Sequence, residues 1–460
     1  MLKELLKPEI QELIDLHLWA DLRDVLETWS PAEIADLILD IEKNNRVLLY
    51  RSLPRDLAHE VFSYLDAEQQ DSLLHDLTDS ETRDLLAEMN PDDRTDLLVE
   101  LPGKVTRRLL SLLDPDDLKQ ARWLLGYPEE SIGRLMTPDF VAVRPYWTIK
   151  QAIQQIKQHG NDSETINRIY VRDDKGVLLD DIMLRTIILA NENDMVEDIM
   201  DHNVIRLSAF DDQEQAVRVM EKYDLSSIPV VDSQGVLVGI VTFDDVLDIA
   251  EEEATEDIQK LGGMEALDTS YKSTTTFELV KKRAGWLSIL MISEMLTTSA
   301  LSYFEGEIEK AAILVLFIPL VMSSGGNSGS QAATLIIRAL ALEEVRLRDW
   351  WYIMKREIIS GLMLGTLLGA LGFLRIELWT LFGSTVFGPH HFLVALTVAF
   401  ALVGIVLWGT LSGSMLPLLL KKLRFDPATS SAPFVATMVD VIGIVIYFVV
   451  ALLVLHGTLL

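Results

Sequence analysis

Five apolar stretches crowd the second part of this chain, near residues 284–303, 311–337, 357–380, 392–420 and 431–456. Each is about as long as the roughly 20 residues an α-helix needs to cross a bilayer, or longer, and residues 393–420 carry no charge at all. At that depth no water is available to backbone amides, so the stretches are expected to be membrane-crossing helices. Charge follows the same division. Residues 1–282 hold 59 acids against 29 bases and residues 283–460 hold 11 of each, so the net charge of −30 belongs entirely to the first part. The sequence reads as an acidic soluble half followed by a near-neutral membrane half. Cysteine is absent, which excludes disulfides and thiolate metal sites. The opening residues, MLKELLKPEIQELIDLHLWADLRD, are amphipathic and of mixed charge, so no secretory signal is expected.

Basic residues set the expected orientation. They gather before the first stretch (Lys281, Lys282, Arg283), between the second and third (Arg338, Arg346, Arg348, Lys355, Arg356) and between the fourth and fifth (Lys421, Lys422, Arg424). The intervening segments YFEGEIEK and FGSTVFGPHH share a single Lys. Positive loops stay inside, so the acidic half is expected in the cytoplasm and the C-terminus outside, at the inner membrane of a bacterium.

A central acid in a spanning helix costs about 2.5–3.5 kcal/mol on insertion scales, which makes each one a functional suspect. Two stand out, Glu294 and Asp440. Asp440 sits about ten residues into its stretch on a stripe of small residues, Ala432, Ala436 and Gly443, which suggests a closely approached or water-filled seam. The run SSGGNSGSQ at residues 323–331 admits two readings. It can be an irregular break offering neutral oxygens to a hard cation in a pore, or a close helix crossing through Gly325 and Gly329, four residues apart.

The acidic half holds two repeats. LMTPDFVAV (135–143) aligns with IMDHNVIRL (199–207), and YVRDDKGVLLDDIMLRTIILA (170–190) with VVDSQGVLVGIVTFDDVLDIA (230–250). Each copy alternates short β-branched runs, a glycine turn and amphipathic helices, the pattern of a small α/β module. Residues 1–130 instead repeat short amphipathic helices that start at Asp, Pro, Ser or Asn, as an α-helical solenoid does. Within them Asp92 and Asp96 share a helix face. After the modules, Glu251, Glu252, Glu253, Glu256 and Asp257 crowd one helical segment; such a cluster repels itself unless cations are present. No Ser-His-Asp arrangement, phosphate-binding loop or His ligand pair occurs, so the chain is not expected to be an enzyme, a membrane-anchored nucleotide-sensing one included.

PLVMSSGGNSGSQAATLIIRAL (319–340), KREIISG (355–361) and DPATSSAPFVATMVDVIGIVIYF (426–448), taken in order, resemble the signature segments of the MgtE family of magnesium channels, and the likeness runs on through the acidic half. It implies a multidomain membrane protein: an α-helical N-domain (1–130), two CBS domains (131–195 and 196–250), a connecting plug helix (251–282) and a five-span pore domain (283–460). It further implies a homodimeric Mg²⁺ channel in the lipid bilayer. Asp440 would select the ion, with Ala436, Asn327 and the Gly325–Gly326 backbone nearby and Asp426 and Glu357 at the cytoplasmic mouth. Asp92, Asp96, Asp245, Glu253, Glu256 and Asp257 would bind regulatory Mg²⁺ and close the pore when cytosolic Mg²⁺ is high. The CBS likeness implies that Thr242 and Asp245 meet the ribose and phosphate of a nucleotide such as ATP. In the first copy the matching positions are Met183 and Thr186, and Asp180 stands where glycine is usual. The alternative is a secondary transporter of divalent cations that uses Asp440 and Glu294 to exchange protons.

Overall fold

The computed structural model describes residues 9–459 apart from 15, 17, 42, 66, 268–270, 273, 383–386 and 388. Parts of the opening segment, of the linker before the first span and of FGSTVFGPHH therefore lie outside the described residues. The chain forms two compact units, divided between Glu252 and Glu253.

The first unit begins with helices of eight to ten residues, from Trp19–Leu26 to Pro115–Leu124. Local chemistry starts them: Ser30 and Thr78 accept from Glu33 and Glu81 in capping boxes, Asp114 accepts from Asp116 and Asp117, and Pro31, Pro91 and Pro115 open the first turn. A side-chain cap stabilises a helix by about 1 kcal/mol. Each helix packs chiefly on its next-but-one neighbour. Side-chain bonds reach across the stack as well, each between residues 29 or 30 apart: Arg51 reaches Glu81 at 2.7 Å, Ser63 reaches Asp93 at 3.0 Å and Arg108 reaches Asp79 at 2.7 Å. The solenoid expected from the repeats is what forms, around one leucine-rich core.

The duplicated modules follow. Each has a three-stranded sheet in the same order, β1 (Phe140–Val143), β2 (Thr165–Arg172) and β3 (Leu178–Met183), then β4 (Leu207–Ser208), β5 (Ser227–Val231) and β6 (Leu237–Thr242). In both, the first pair is parallel across a helix and the second is an antiparallel hairpin. Gly176 and Gly235 turn the two hairpins at φ of +86° and +81°, where a side chain would strain the backbone. The two hairpins then bond to each other, Leu178 N to Gly235 O and Leu237 N to Gly176 O, both at 3.0 Å.

The connecting helix runs Phe243–Leu261, so it starts eight residues before the expected 251 and takes up the end of the second module. The division between the two units falls inside it.

Among the described residues the second unit holds five helices long and apolar enough to cross a membrane: span 1, Thr276–Tyr303; span 2, Ala312–Ala341; span 3, Leu347–Leu381; span 4, His391–Lys422; and span 5, Ala432–Leu455. Span 4 is the hub, packed on spans 2, 3 and 5, while span 1 packs chiefly on span 5. The 323–331 run is not a break. Ile318–Ala341 is one continuous α-helix, and the glycines serve a crossing instead. A Cβ on Gly409 would lie 2.3 Å from Gly325 O, and one on Gly413 would lie 2.1 Å from Gly329 O. Two pairs of glycines, each spaced by four residues, thus let spans 2 and 4 touch backbone to backbone. The Gly325 and Gly326 carbonyls consequently belong to the helical ladder, which corrects the expectation of free oxygens lining a pore.

Candidate ion sites

Asp440 follows Ala432, the first residue of span 5, by eight positions, in a helix with no other charged residue. Helical periodicity divides its surroundings. Val435, Val439 and Gly443 turn into the protein core, while Ala436 and Asp440 are half-buried. Gly326 of span 2 comes to Ala436: a Cβ there would sit 3.5 Å from the Ala436 Cβ. Gly325 points elsewhere, against Ile405 and Val439. Asn327 is exposed in the single chain. The structure thus brings Gly326 and Ala436 together beside Asp440 and sends Gly325 to the crossing with span 4. Glu294 is exposed on span 1, and Glu357 is half-buried on span 3.

Asp426 stands just before span 5. Its Oδ1 accepts from Ala428 N at 2.8 Å, and its Oδ2 accepts from the Lys260 ammonium at 2.8 Å. Lys260 also pairs with Glu256 one turn earlier on its own helix. Of the sequence-predicted acids 253, 256 and 257, all in the second unit, Glu256 is therefore paired with a cation.

In the first unit, the Pro91–Glu100 helix, the segment around Glu164 and the start of the Phe243–Leu261 helix bring carboxylates together. Asp92 is only 7% exposed, and its Oδ1 has no hydrogen-bond partner. Burial, and then the charges of Asp245, Glu164 and Asp93, push its carboxyl well above the usual range. Burial raises Asp245 to about 7 against the hydrogen bond it accepts from Thr242 at 2.6 Å, whereas Asp96 lies exposed one turn along the helix from Asp92. Glu164 rises to about 7 for the same reason, burial first and then Asp244 and Asp93. Arg94 does not neutralise the group; it turns away to Asp117 at 3.1 Å and to Gln120.

The family resemblance named Asp92, Asp96 and Asp245, and Glu252 stood in the acidic run of the connecting helix; Asp93, Glu164 and Asp248 were not anticipated. The spacing of Asp244, Asp248 and Glu252, each four residues apart, was a readable signal for one acidic helix face; Glu164 lies outside any periodic segment. Among the described residues no three such groups converge as a ready-made metal cage. Mg²⁺ does not require one, because it binds through one or two carboxylates and keeps several waters. An orphaned, buried carboxylate oxygen among mutually repelling acids fits that mode.

The two modules enclose a cleft of about 400 Å³, lined among others by Arg168, Asp181, Met183, Thr186, Asn203 and Tyr223. It lies at the first-copy positions Met183 and Thr186, whereas the Thr242 hydroxyl donates to Asp245 and that carboxylate belongs to the acidic group.

Residues 318–450 match the MgtE divalent cation transporter family, residues 29–130 the MgtE intracellular N domain, and residues 132–193 and 196–252 the CBS domain. The chain is 39% identical over 459 residues to the magnesium transporter MgtE of Thermus thermophilus, covering 99% of this chain and all of that one. It is 31% identical over 437 residues to the Bacillus subtilis magnesium transporter MgtE, covering 95% and 94%. Among solved structures, the cytosolic domain of the Mg²⁺ channel MgtE in complex with ATP is 36% identical, with a TM-score of 0.51 over 53% of this chain and 99% of that one. The soluble part of a magnesium transporter is 28% identical, with a TM-score of 0.52 over 55% and 99%. With its five apolar helices, its helical N-domain and its paired CBS domains, this integral membrane protein belongs to the MgtE family of magnesium transporters.

Proposed function

We propose that the chain is a Mg²⁺-selective channel for magnesium uptake across a bacterial inner membrane, assembled as a homodimer with the acidic half in the cytoplasm and the C-terminus outside. The observation that carries this reading is Asp440, the one acid of span 5, set beside the close approach of Ala436 and Gly326. Mg²⁺ gives up water reluctantly, so the carboxylate meets it hydrated and reads the water shell. A two-fold axis would present two Asp440 side chains and offset the charge of one dication. Asn327, exposed on the single chain, is assigned to that same face, and Asp426 and Glu357 to the cytoplasmic mouth.

The acidic group of the first unit supports regulation by cytosolic Mg²⁺. Asp92, Asp96 and Asp245 would hold the ion, with Glu253, Glu256 and Asp257 serving on the following turns of the connecting helix. Bound there, its two positive charges offset the carboxylates' repulsion; without them the same carboxylates push their helices apart and favour the open pore. In the cleft between the modules, ATP is proposed as a further regulatory ligand, in line with the ATP complex of the related cytosolic domain.

Mg²⁺ flux into proteoliposomes tests the reading. Wild-type flux is expected to fall when Mg²⁺ rises on the side of the acidic half, and Asp440→Ala is expected to lose flux or selectivity. Flux that ignores Mg²⁺ on that side and follows a proton gradient would establish the secondary-transporter reading instead.

A further inference from the structure

Spans 1 and 5 pack side by side, and two contacts fix their register. Near the basic end, Trp286 lies 6.2 Å from Phe434, ring to ring, and its Nε1 donates to Ser431 Oγ at 3.1 Å. Toward the other end, Phe304, the residue that follows span 1, stacks on Phe448 with centroids 4.9 Å apart. The two helices therefore run parallel. Glu294 lies eight residues beyond Trp286 and ten before Phe304, while Asp440 lies six beyond Phe434 and eight before Phe448. At about 1.5 Å of rise per residue, the two carboxylates sit at the same depth to within about one turn.

A second observation points to a polar guest at this level. Thr297 follows Glu294 by three residues and so shares its helix face. It is the buried residue of span 1, 9% exposed, and its Oγ1 has no hydrogen-bond partner. The rest of the helix near Glu294 presents Met291, Ile292 and Met295, all exposed and apolar. An acid and an unpaired hydroxyl at membrane depth have no purpose against lipid tails.

We propose that Glu294 is a second carboxylate of the ion pathway, meeting the hydrated divalent cation together with Asp440 at the seam of spans 1 and 5, with Thr297 Oγ1 accepting from the ion's water. This rests on the channel reading above. It adds to it that one chain supplies two negative charges, from two helices, at one depth.

The test uses the full-length protein in proteoliposomes and reads Mg²⁺ flux at low Mg²⁺ on the side of the acidic half. Glu294→Gln is expected to lower flux about fivefold or more, Glu294→Asp to keep most of it, and Glu294→Gln combined with Asp440→Asn to be no worse than Asp440→Asn alone, the non-additivity of groups sharing a partner. Because the chain has no cysteine, Glu294→Cys gives a unique thiol and a readout independent of how well the Gln variant folds. A water-soluble, negatively charged methanethiosulfonate should modify that thiol and raise flux, and Mg²⁺ should slow the modification. Wild-type flux in Glu294→Gln while Asp440→Asn is impaired, or a thiol the reagent never reaches, would overturn the role of Glu294 and leave Asp440 in place. Undiminished flux in Asp440→Asn itself would remove the underlying reading.

Discussion

Lys260 Nζ lies 2.8 Å from Asp426 Oδ2 and pairs with Glu256 as well. Burial works against its charge, but the hydrogen bonds to Asp426 and Glu256 outweigh it and hold the ammonium above its ordinary pKa. One cation thus ties the connecting helix to the segment that enters span 5. Lys260→Met leaves two acids facing each other without it. A partly exposed ion pair is worth about 0.2–1 kcal/mol, so the Mg²⁺ concentration giving half-inhibition of flux should rise by about 1.4–5-fold. The shift should shrink at high ionic strength.

The acidic group makes the first unit sensitive to pH. Asp245 and Glu164 titrate near 7 in the folded arrangement and near 4 once solvated. The folded arrangement therefore binds more protons, its stability is full below pH about 4, and it declines as pH rises through about 7. In metal-free buffer the full-length protein should melt at a higher temperature at pH 5.5 than at pH 8 by thermal unfolding; these two conditions, about one unit or more on either side of the shifted values, bracket the titration. Added Mg²⁺ should narrow the gap, mostly by raising the value at pH 8.

Asp92→Asn removes a negative charge from the most buried acid of the group while keeping its shape. The apo protein should become more resistant to protease in the segments around residues 92 and 245, and the extra protection conferred by Mg²⁺ should diminish. Limited proteolysis with and without Mg²⁺ reads both quantities. Unchanged Mg²⁺ protection in this variant would count against Asp92 as a ligand.

The glycine crossing predicts a steep steric response. With 2.1 Å between a built Cβ at position 413 and Gly329 O, Gly413→Ala has to separate spans 2 and 4. Overpacking of this kind destabilises by about 1–3 kcal/mol, and here the obstacle is backbone, which has no rotamer to give. A lower melting temperature in detergent is expected, whereas Gly306→Ala, with nothing within 4 Å, should be silent.

The five spans, the duplicated modules and the stacked helices of the first unit were legible because each rests on a period: length for a bilayer, repetition for the modules, and helix starts recurring through residues 1–130. The run at 323–331 was ambiguous because a pore break and a close crossing call for the same small residues. What decides between them is the complementary pair Gly409 and Gly413, far along the chain. Asp92, Asp96 and Asp245 were named through the family resemblance, while Glu164, isolated in sequence, gives no hint that the fold carries it to Asp92. The resemblance pointed to Thr242 and Asp245 for a nucleotide; the Thr242 hydroxyl donates to Asp245, and the open volume between the modules lies beside Met183 and Thr186, which no sequence pattern indicates.

The backbone contact between spans 2 and 4 also divides the mechanical labour. Side-chain interfaces can slide by exchanging rotamers, but peptide planes pressed together through glycine cannot shift without opening a gap on one side and a collision on the other. Span 3 joins the same block through Gly361, Gly365 and Gly369, where a Cβ would lie 3.1, 2.8 and 2.8 Å from the span 4 backbone at Leu407, Val403 and Ala399. Spans 2, 3 and 4 thus make a stiff stator. Span 1, held chiefly along span 5, stays outside that block, and under the proposed channel reading a movement arriving from the connecting helix would be taken up there, beside Asp440.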